Sequence, residues 1–313
     1  MSKSDYNKFI EYCQNGNLDM AKLLLSAKPD IDISAHNEWA FRISCIYGRL
    51  EVAKWLLSLK PDIDISAGYE GSFRSSCEKG HLEVAKWLFS IKPNIDISLY
   101  NEEIFRVSCI YGHLEVAKWL LSVKPYIDIS AENEYAFRLS CSHGHLEVAK
   151  WLISLKPDID ISACDEHAFR LSCSCGHLEV AKWLLAIKPD IDISAHDEYA
   201  FRLSCSHGHL EVAKWLLSLK PDIDISARHD GTFRMSCANG HLELAKWLLQ
   251  ETLKRNKVFQ TNIPDELNTH TEYICIKNYP ERCLECTSKY YNLSLEIIGI
   301  EELAREITKY VIY

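Results

Sequence analysis

The chain has 313 residues, 47% of them hydrophobic and 25% charged, with a formal net charge of −9. This composition belongs to a packed chain rather than a disordered one, and the acidic balance argues against a general phosphate-backbone binder. No apolar run approaches the roughly 18 residues that span a membrane, and the polar start Met1-Ser-Lys-Ser-Asp lacks a signal-peptide core. An intracellular, non-membrane protein is expected.

Residues 5–34 open a register that then recurs every 32 positions. Gly16, Gly48, Gly80, Gly112, Gly144, Gly176, Gly208 and Gly240 keep it without a slip, and a phenylalanine column from Phe9 to Phe233 shares it. A proline column (Pro29 to Pro221) and a tryptophan column (Trp55 to Trp247) follow the same spacing. In the first copy Ile10 and Leu23 stand where later copies have arginine and tryptophan, so residues 1–34 are expected to form an N-terminal capping repeat.

The copy around Glu134–Ser162 shows the physical pattern. Phe137 and Cys141 fall at i, i+4, one apolar stripe of a short helix. Gly144 supplies the positive φ of a tight connection. Val148, Ala149, Leu152 and Leu155 then repeat at helical spacing, with Glu147 near the start and Lys156 at the end to suit the helix dipole. Pro157 stops this second helix, and Asp158-Ile-Asp-Ile-Ser alternates, predicting an extended run into the next copy. One helix pair cannot bury its own apolar face, so the copies are expected to stack. The fold class is therefore all-α: a helix–turn–helix solenoid with short extended fingers over residues 35–257 and a non-repeat segment, 258–313.

Gly144-His-Leu-Glu-Val-Ala-Lys-Trp-Leu-Ile is similar to the second helix of an ankyrin repeat, and Pro157-Asp-Ile-Asp aligns with that family's Ala-Asp-Val-Asn. The resemblance covers residues 5–250 and recurs eight times. The family's Thr-Pro-Leu-His helix start is replaced by Ala136-Phe-Arg-Leu, and the period is 32 rather than about 33, which places the missing residue in the turn before the first helix. Phe-Arg-x-Ser-Cys with Lys-Pro-Asp-Ile-Asp-Ile-Ser resembles the ankyrin proteins multiplied in giant DNA viruses. That resemblance implies a partner protein from a host cell, a host-cytoplasmic location and a monomer.

Thirteen cysteines would fit a disulfide scaffold, but eight recur once per copy from Cys13 to Cys237. Equivalent helices pack about 8–10 Å apart, beyond the roughly 7 Å that a disulfide allows, so reduced core residues are expected. Arg42, Arg74, Arg106, Arg138, Arg170, Arg202 and Arg234 each follow an acid by four positions, which predicts i, i+4 support rather than an anion-binding stripe. The histidines after the glycines are too regular for one zinc site, and Cys173, Cys175 and His177 fall short of a closed ligand set. The tryptophans are expected to fill grooves between copies. No nucleophile–base set, phosphate loop or metalloprotease motif stands apart from the repeats, so neither an enzyme nor a cofactor is expected.

Positions that differ between copies are free of the duty of holding the stack. They include Trp39, Tyr69, Tyr100, Glu103, Tyr135, His167, Tyr199 and His229 around the first helix, with His36 and Arg228. Tyr47, Lys79, Tyr111, His143, Cys175, His207 and Asn239 form a second group before each glycine. In the ankyrin family such positions line the concave binding face, and tyrosine and tryptophan suit a protein partner; neutral drift would produce the same variation. The first function is thus a protein-interaction scaffold. The alternative is a ubiquitin-ligase adaptor: Ile263-Pro-Asp-Glu-Leu resembles an F-box start. The same segment holds Ile300–Val311, which reads as a helix, and His270, Cys275, Cys283 and Cys286, a weak zinc pattern.

Overall fold

In the computed structural model, residues 3–65, 67–97, 99–225 and 227–259 are described. They form sixteen helices in eight consecutive pairs. The first five pairs are α1 Lys3–Asn15 with α2 Leu18–Ala27, α3 Ala35–Ile46 with α4 Leu50–Leu59, α5 Ala67–Glu78 with α6 Leu82–Ile91, α7 Leu99–Ile110 with α8 Leu114–Val123, and α9 Ala131–Ser142 with α10 Leu146–Leu155. Next come α11 Ala163–Ser174 with α12 Leu178–Ile187, α13 Ala195–Ser206 with α14 Leu210–Leu219, and α15 Ala227–Ala238 with α16 Leu242–Phe259. The chain divides into two compact units, 1–164 and 165–313, the division falling just inside α11. The ligase-adaptor, helix and zinc readings of the C-terminal segment lie outside the described residues.

Each pair closes by the same local chemistry. Gly144, at φ 81°, ends the first helix: its N–H donates to the Cys141 carbonyl at 3.0 Å, and the His145 N–H reaches back to the Ser140 carbonyl at 2.8 Å. These two bonds satisfy carbonyls that the helix end would otherwise strand. Ala136, Phe137 and Cys141 from the first helix then pack with Val148, Ala149 and Leu152 from the second, all 2% exposed or less. A buried side chain the size of leucine or phenylalanine contributes about 1.5–3 kcal/mol. Leu155, expected on that stripe, is 42% exposed because it is the last residue of α10, where the chain turns away.

Neighbouring pairs are joined through three columns. Tryptophans pack on the phenylalanine of the pair before: Trp55 on Phe9 at 6.3 Å, Trp87 on Phe41 and Trp119 on Phe73 at 6.1 Å, and Trp151 on Phe105 at 6.2 Å in the first unit. In the second, Trp215 meets Phe169 at 6.2 Å and Trp247 meets Phe201 at 6.5 Å. The tryptophan column is groove-filling, and Leu23 at its place in the first pair is 63% exposed. Buried serines sit within hydrogen-bond reach of the preceding pair's cysteine carbonyl, as Ser140 does to Cys109 at 3.1 Å and Ser236 to Cys205 at 3.1 Å.

The cysteines themselves are free and buried. Burial lifts the Cys13 thiol to about 12 and raises those of Cys45, Cys77, Cys109, Cys141, Cys173 and Cys205 as well, so they stay protonated small hydrophobes.

The segment between pairs is where the structure departs from expectation. Asp158-Ile-Asp-Ile-Ser does not run extended, and no strand forms among the described residues. It makes two turns instead: the Ile159 N–H donates to the Lys156 carbonyl at 3.2 Å, and the Ala163 N–H to the Asp160 carbonyl at 3.1 Å. The Asp160 carboxylate also accepts the Ser162 N–H at 3.0 Å, a local bond that competes with an extended backbone.

Candidate interaction surface

The first helices do not begin as right-handed helices. Three successive residues adopt left-handed conformation before α3, α9, α11 and α13 turn right-handed: His36-Asn37-Glu38, Glu132-Asn133-Glu134, Cys164-Asp165-Glu166 and His196-Asp197-Glu198, with φ between 55° and 60° or just above. Left-handed conformation costs an ordinary residue roughly 1–2 kcal/mol, so something must hold each triplet. Shortening the period to 32 leaves one residue fewer to reverse the chain, and the triplet does it in a single tight coil.

Arginine holds it. Arg138 donates from Nε to the Asn133 carbonyl at 2.7 Å and from Nη2 to the Glu132 carbonyl at 3.1 Å. Arg202 makes the same pair with Asp197 at 2.6 Å and His196 at 3.2 Å, and Arg170 reaches the Asp165 carbonyl at 2.6 Å. The expected i, i+4 pairing of these arginines with their acids is therefore corrected. The acid is itself the last residue of the left-handed coil, which takes it out of the helical register, and it turns inward to a lysine at the end of the pair's second helix. Lys60 meets Glu38 at 3.1 Å, Lys156 meets Glu134 at 3.8 Å and Lys220 meets Glu198 at 3.6 Å. The same lysines donate to Ser34, Ser130 and Ser194. The Glu38 hydrogen bond raises the Lys60 ammonium above its usual range.

Trp39, Glu103, Tyr135, His167 and Tyr199 share one position, the residue after the triplet. They are half-buried rather than exposed, and arginines lie against Trp39, Glu103, Tyr135 and Tyr199. Arg106, from the preceding pair, is 5.2 Å from the Tyr135 ring centre and Arg138 is 5.6 Å from it; Arg170 covers Tyr199 at 5.0 Å. Arg74 pairs with Glu103 at 3.0 Å. Tyr69 and His229 fall two positions earlier and Tyr100 three, within α5, α15 and α7, and their side chains lie outside the described residues. The exposed side chains are those of the triplets: His36, Asn37, Glu132, Asn133, Cys164, Asp165, His196 and Asp197. Tyr126 was missed by sequence reasoning and is 92% exposed. Its signal was there, since it replaces the aspartate or asparagine of the other turns.

The second variable group has mixed duties. Tyr47 and Tyr111 are 42% and 48% exposed, whereas His207 and Asn239 bond the carbonyls of Ser174 and Ser206 in the preceding pair at 2.8 and 2.7 Å. Histidines that follow a glycine also bridge pairs. A Cβ on Gly112 would stand 2.4 Å from His145 Nδ1, and one on Gly176 would stand 2.5 Å from that of His209. Half-burial lowers the pKa values of His81, His113 and His209. Cys173 is buried and Cys175 exposed, so their suggested cluster with His177 is split between core and surface. Among the described residues, no three metal-ligating side chains are placed to hold an ion, and no helix is long and apolar enough to cross a membrane.

A family model described as ankyrin repeats (3 copies) matches residues 107–197 and 171–260. The chain contains ankyrin repeats. No curated protein matches the chain. Ankyrin repeats point to protein partners in general, and in this chain they combine the family's glycine-ended first helix with the arginine-held left-handed coil.

Proposed function

We propose that the chain is a protein-interaction scaffold whose partner reads the left-handed triplets and the half-buried position that follows them. One observation carries the reading: the triplet backbone is nearly identical in four copies, while its exposed side chains change from His-Asn to Glu-Asn, Cys-Asp and His-Asp. A constant backbone that presents variable side chains is the arrangement a recognition surface needs, and polar side chains on rigid turns lose little entropy on binding. Trp39, Tyr135 and Tyr199 contribute aromatic edges around the arginines, and Tyr69, Tyr100, Glu103, His167 and His229 complete the set. A host-cell partner follows from the viral resemblance alone.

The test is affinity capture with the full chain and with a Glu132→Ala, Asp165→Ala, Asp197→Ala variant. These side chains are exposed, so the variant should keep the parent's helical signal and melting temperature while losing a specific partner. An unchanged partner set from the folded variant would overturn the reading.

A further inference from the structure

In the copies of Gly71, Glu103, Tyr135 and Tyr199, the position that Trp39 occupies is met by the arginine of the preceding pair. Arg42 Nη2 lies 3.8 Å from where a Cβ on Gly71 would stand, Arg74 pairs with Glu103, Arg106 lies over Tyr135 and Arg170 over Tyr199. Trp39 is the exception, because Ile10 stands at the arginine's place in the pair before it. A cleft of about 470 Å³ opens there, lined among others by Tyr6, Ile10, Glu11, Gln14, His36 and Trp39.

We propose that this cleft binds an arginine side chain of a partner protein, its guanidinium stacking on Trp39 and pairing with Glu11. The proposal rests on the interaction-scaffold reading and gives one contact of that scaffold a chemistry. Tryptophan is the best aromatic acceptor for a cation, and the planar guanidinium can stack while its edge engages a carboxylate, which an ammonium cannot do as well. Glu11 is exposed at the cleft and supplies that carboxylate.

A second guanidinium near the ring is no obstacle. Arg42 already lies 5.5 Å from the Trp39 centre, but Tyr135 accommodates two arginines at 5.2 and 5.6 Å in the same fold. The wall is also built in advance: Tyr6 is 5% exposed, its hydroxyl donates to the Ala35 carbonyl at 3.2 Å, and its ring sits 5.4 Å from that of His36. A preformed wall removes part of the ordering cost of binding.

The test uses the full chain with its tryptophan indoles labelled for NMR, the Trp39 signal being assigned through Trp39→Phe. The probe is an acetylated, amidated Gly-Arg-Gly peptide, compared with its citrulline and lysine counterparts. The arginine peptide should shift Trp39 saturably, the lysine peptide should bind more weakly, and the neutral, isosteric citrulline peptide should fail. Glu11→Gln should weaken the arginine peptide about threefold, the scale of one exposed ion pair. Ile10→Arg should abolish binding, since the chain's own guanidinium would fill the cleft; its melting curve reports whether it folds. A Trp39 signal indifferent to the arginine peptide, or equal binding of the citrulline peptide, would overturn the proposal. If capture of a partner still depends on Glu132, Asp165 and Asp197 in that event, only the arginine cleft falls and the scaffold reading stands.

Discussion

Four of the described repeats reverse their backbone twice through positive φ, and the two turns meet that demand in opposite ways. After the first helix the reversal falls on glycine, from Gly48 at 72° to Gly208 at 82°. Before it, three side-chain-bearing residues share the reversal, as Glu132, Asn133 and Glu134 do at 58°, 55° and 61°. The glycine turn needs only its own residue, because a missing Cβ removes the steric penalty. The left-handed coil is imposed from outside, by arginine on its carbonyls and lysine on its glutamate. That difference explains the variation: an intrinsic turn must keep its residue, whereas an imposed one leaves its exposed side chains free for recognition.

The largest effect should come from breaking the intrinsic turn. Gly112→Ala adds a methyl 2.4 Å from His145 Nδ1 at a residue with φ 78°, and should cost about 3 kcal/mol in urea unfolding from strain and overpacking together. Gly240→Ala has the same φ of 78° but open space around the new methyl, so it should lose only the backbone share, about 1 kcal/mol. Equal losses at the two sites would mean that the neighbouring histidine contributes nothing.

Breaking the imposed turn should come next. Arg138→Ala removes two bonds to left-handed carbonyls and should cost about 2 kcal/mol, with faster amide exchange at residues 132–134. In the opposite direction, Asn133→Gly relaxes a coil residue whose carbonyl contact survives, and should raise stability by about 0.5 kcal/mol in the same melt. A loss with Asn133→Gly would show that the coil is not strained.

The smallest effect is a pH dependence. Half-burial lowers the folded-state pKa of His81, His113 and His209 below the ordinary 6.5, so the folded chain favours the neutral rings. Their contribution is complete above pH 6.5 and shrinks as the pH falls below it towards the folded values, because the unfolded chain then binds more protons. His209→Gln should flatten part of that slope in melts between neutral and mildly acidic pH.

Much of this was legible in the residues. Leu146–Leu155 reads as a helix from Val148, Ala149 and Leu152, and α10 has those bounds. The glycine turns, the buried cysteines and the tryptophan grooves also follow from spacing, because each depends on a side chain's own geometry or on a neighbour at a fixed interval. The candidate surface was legible only as a set of variable positions. The cover of Tyr135 by Arg106 and of Tyr199 by Arg170 could not be read, since each arginine lies one repeat earlier and no local period announces it.

The sequence by itself determined the 32-residue period, the helix pairs, the core columns and the ankyrin identity of the repeats. Local propensity and the burial of periodic apolar side chains suffice for all of these. Only the tertiary structure decided that Glu132–Glu134 coils left-handed, that Arg138 holds carbonyls instead of its acid, and that Trp39 faces a cleft where Glu103, Tyr135 and Tyr199 face the preceding pair's arginine. The arginine bonds span only five or six positions but need the coil already formed. The lysine and inter-pair arginine contacts span 22 and 29 positions, so their energies arise only once the helix pairs are packed.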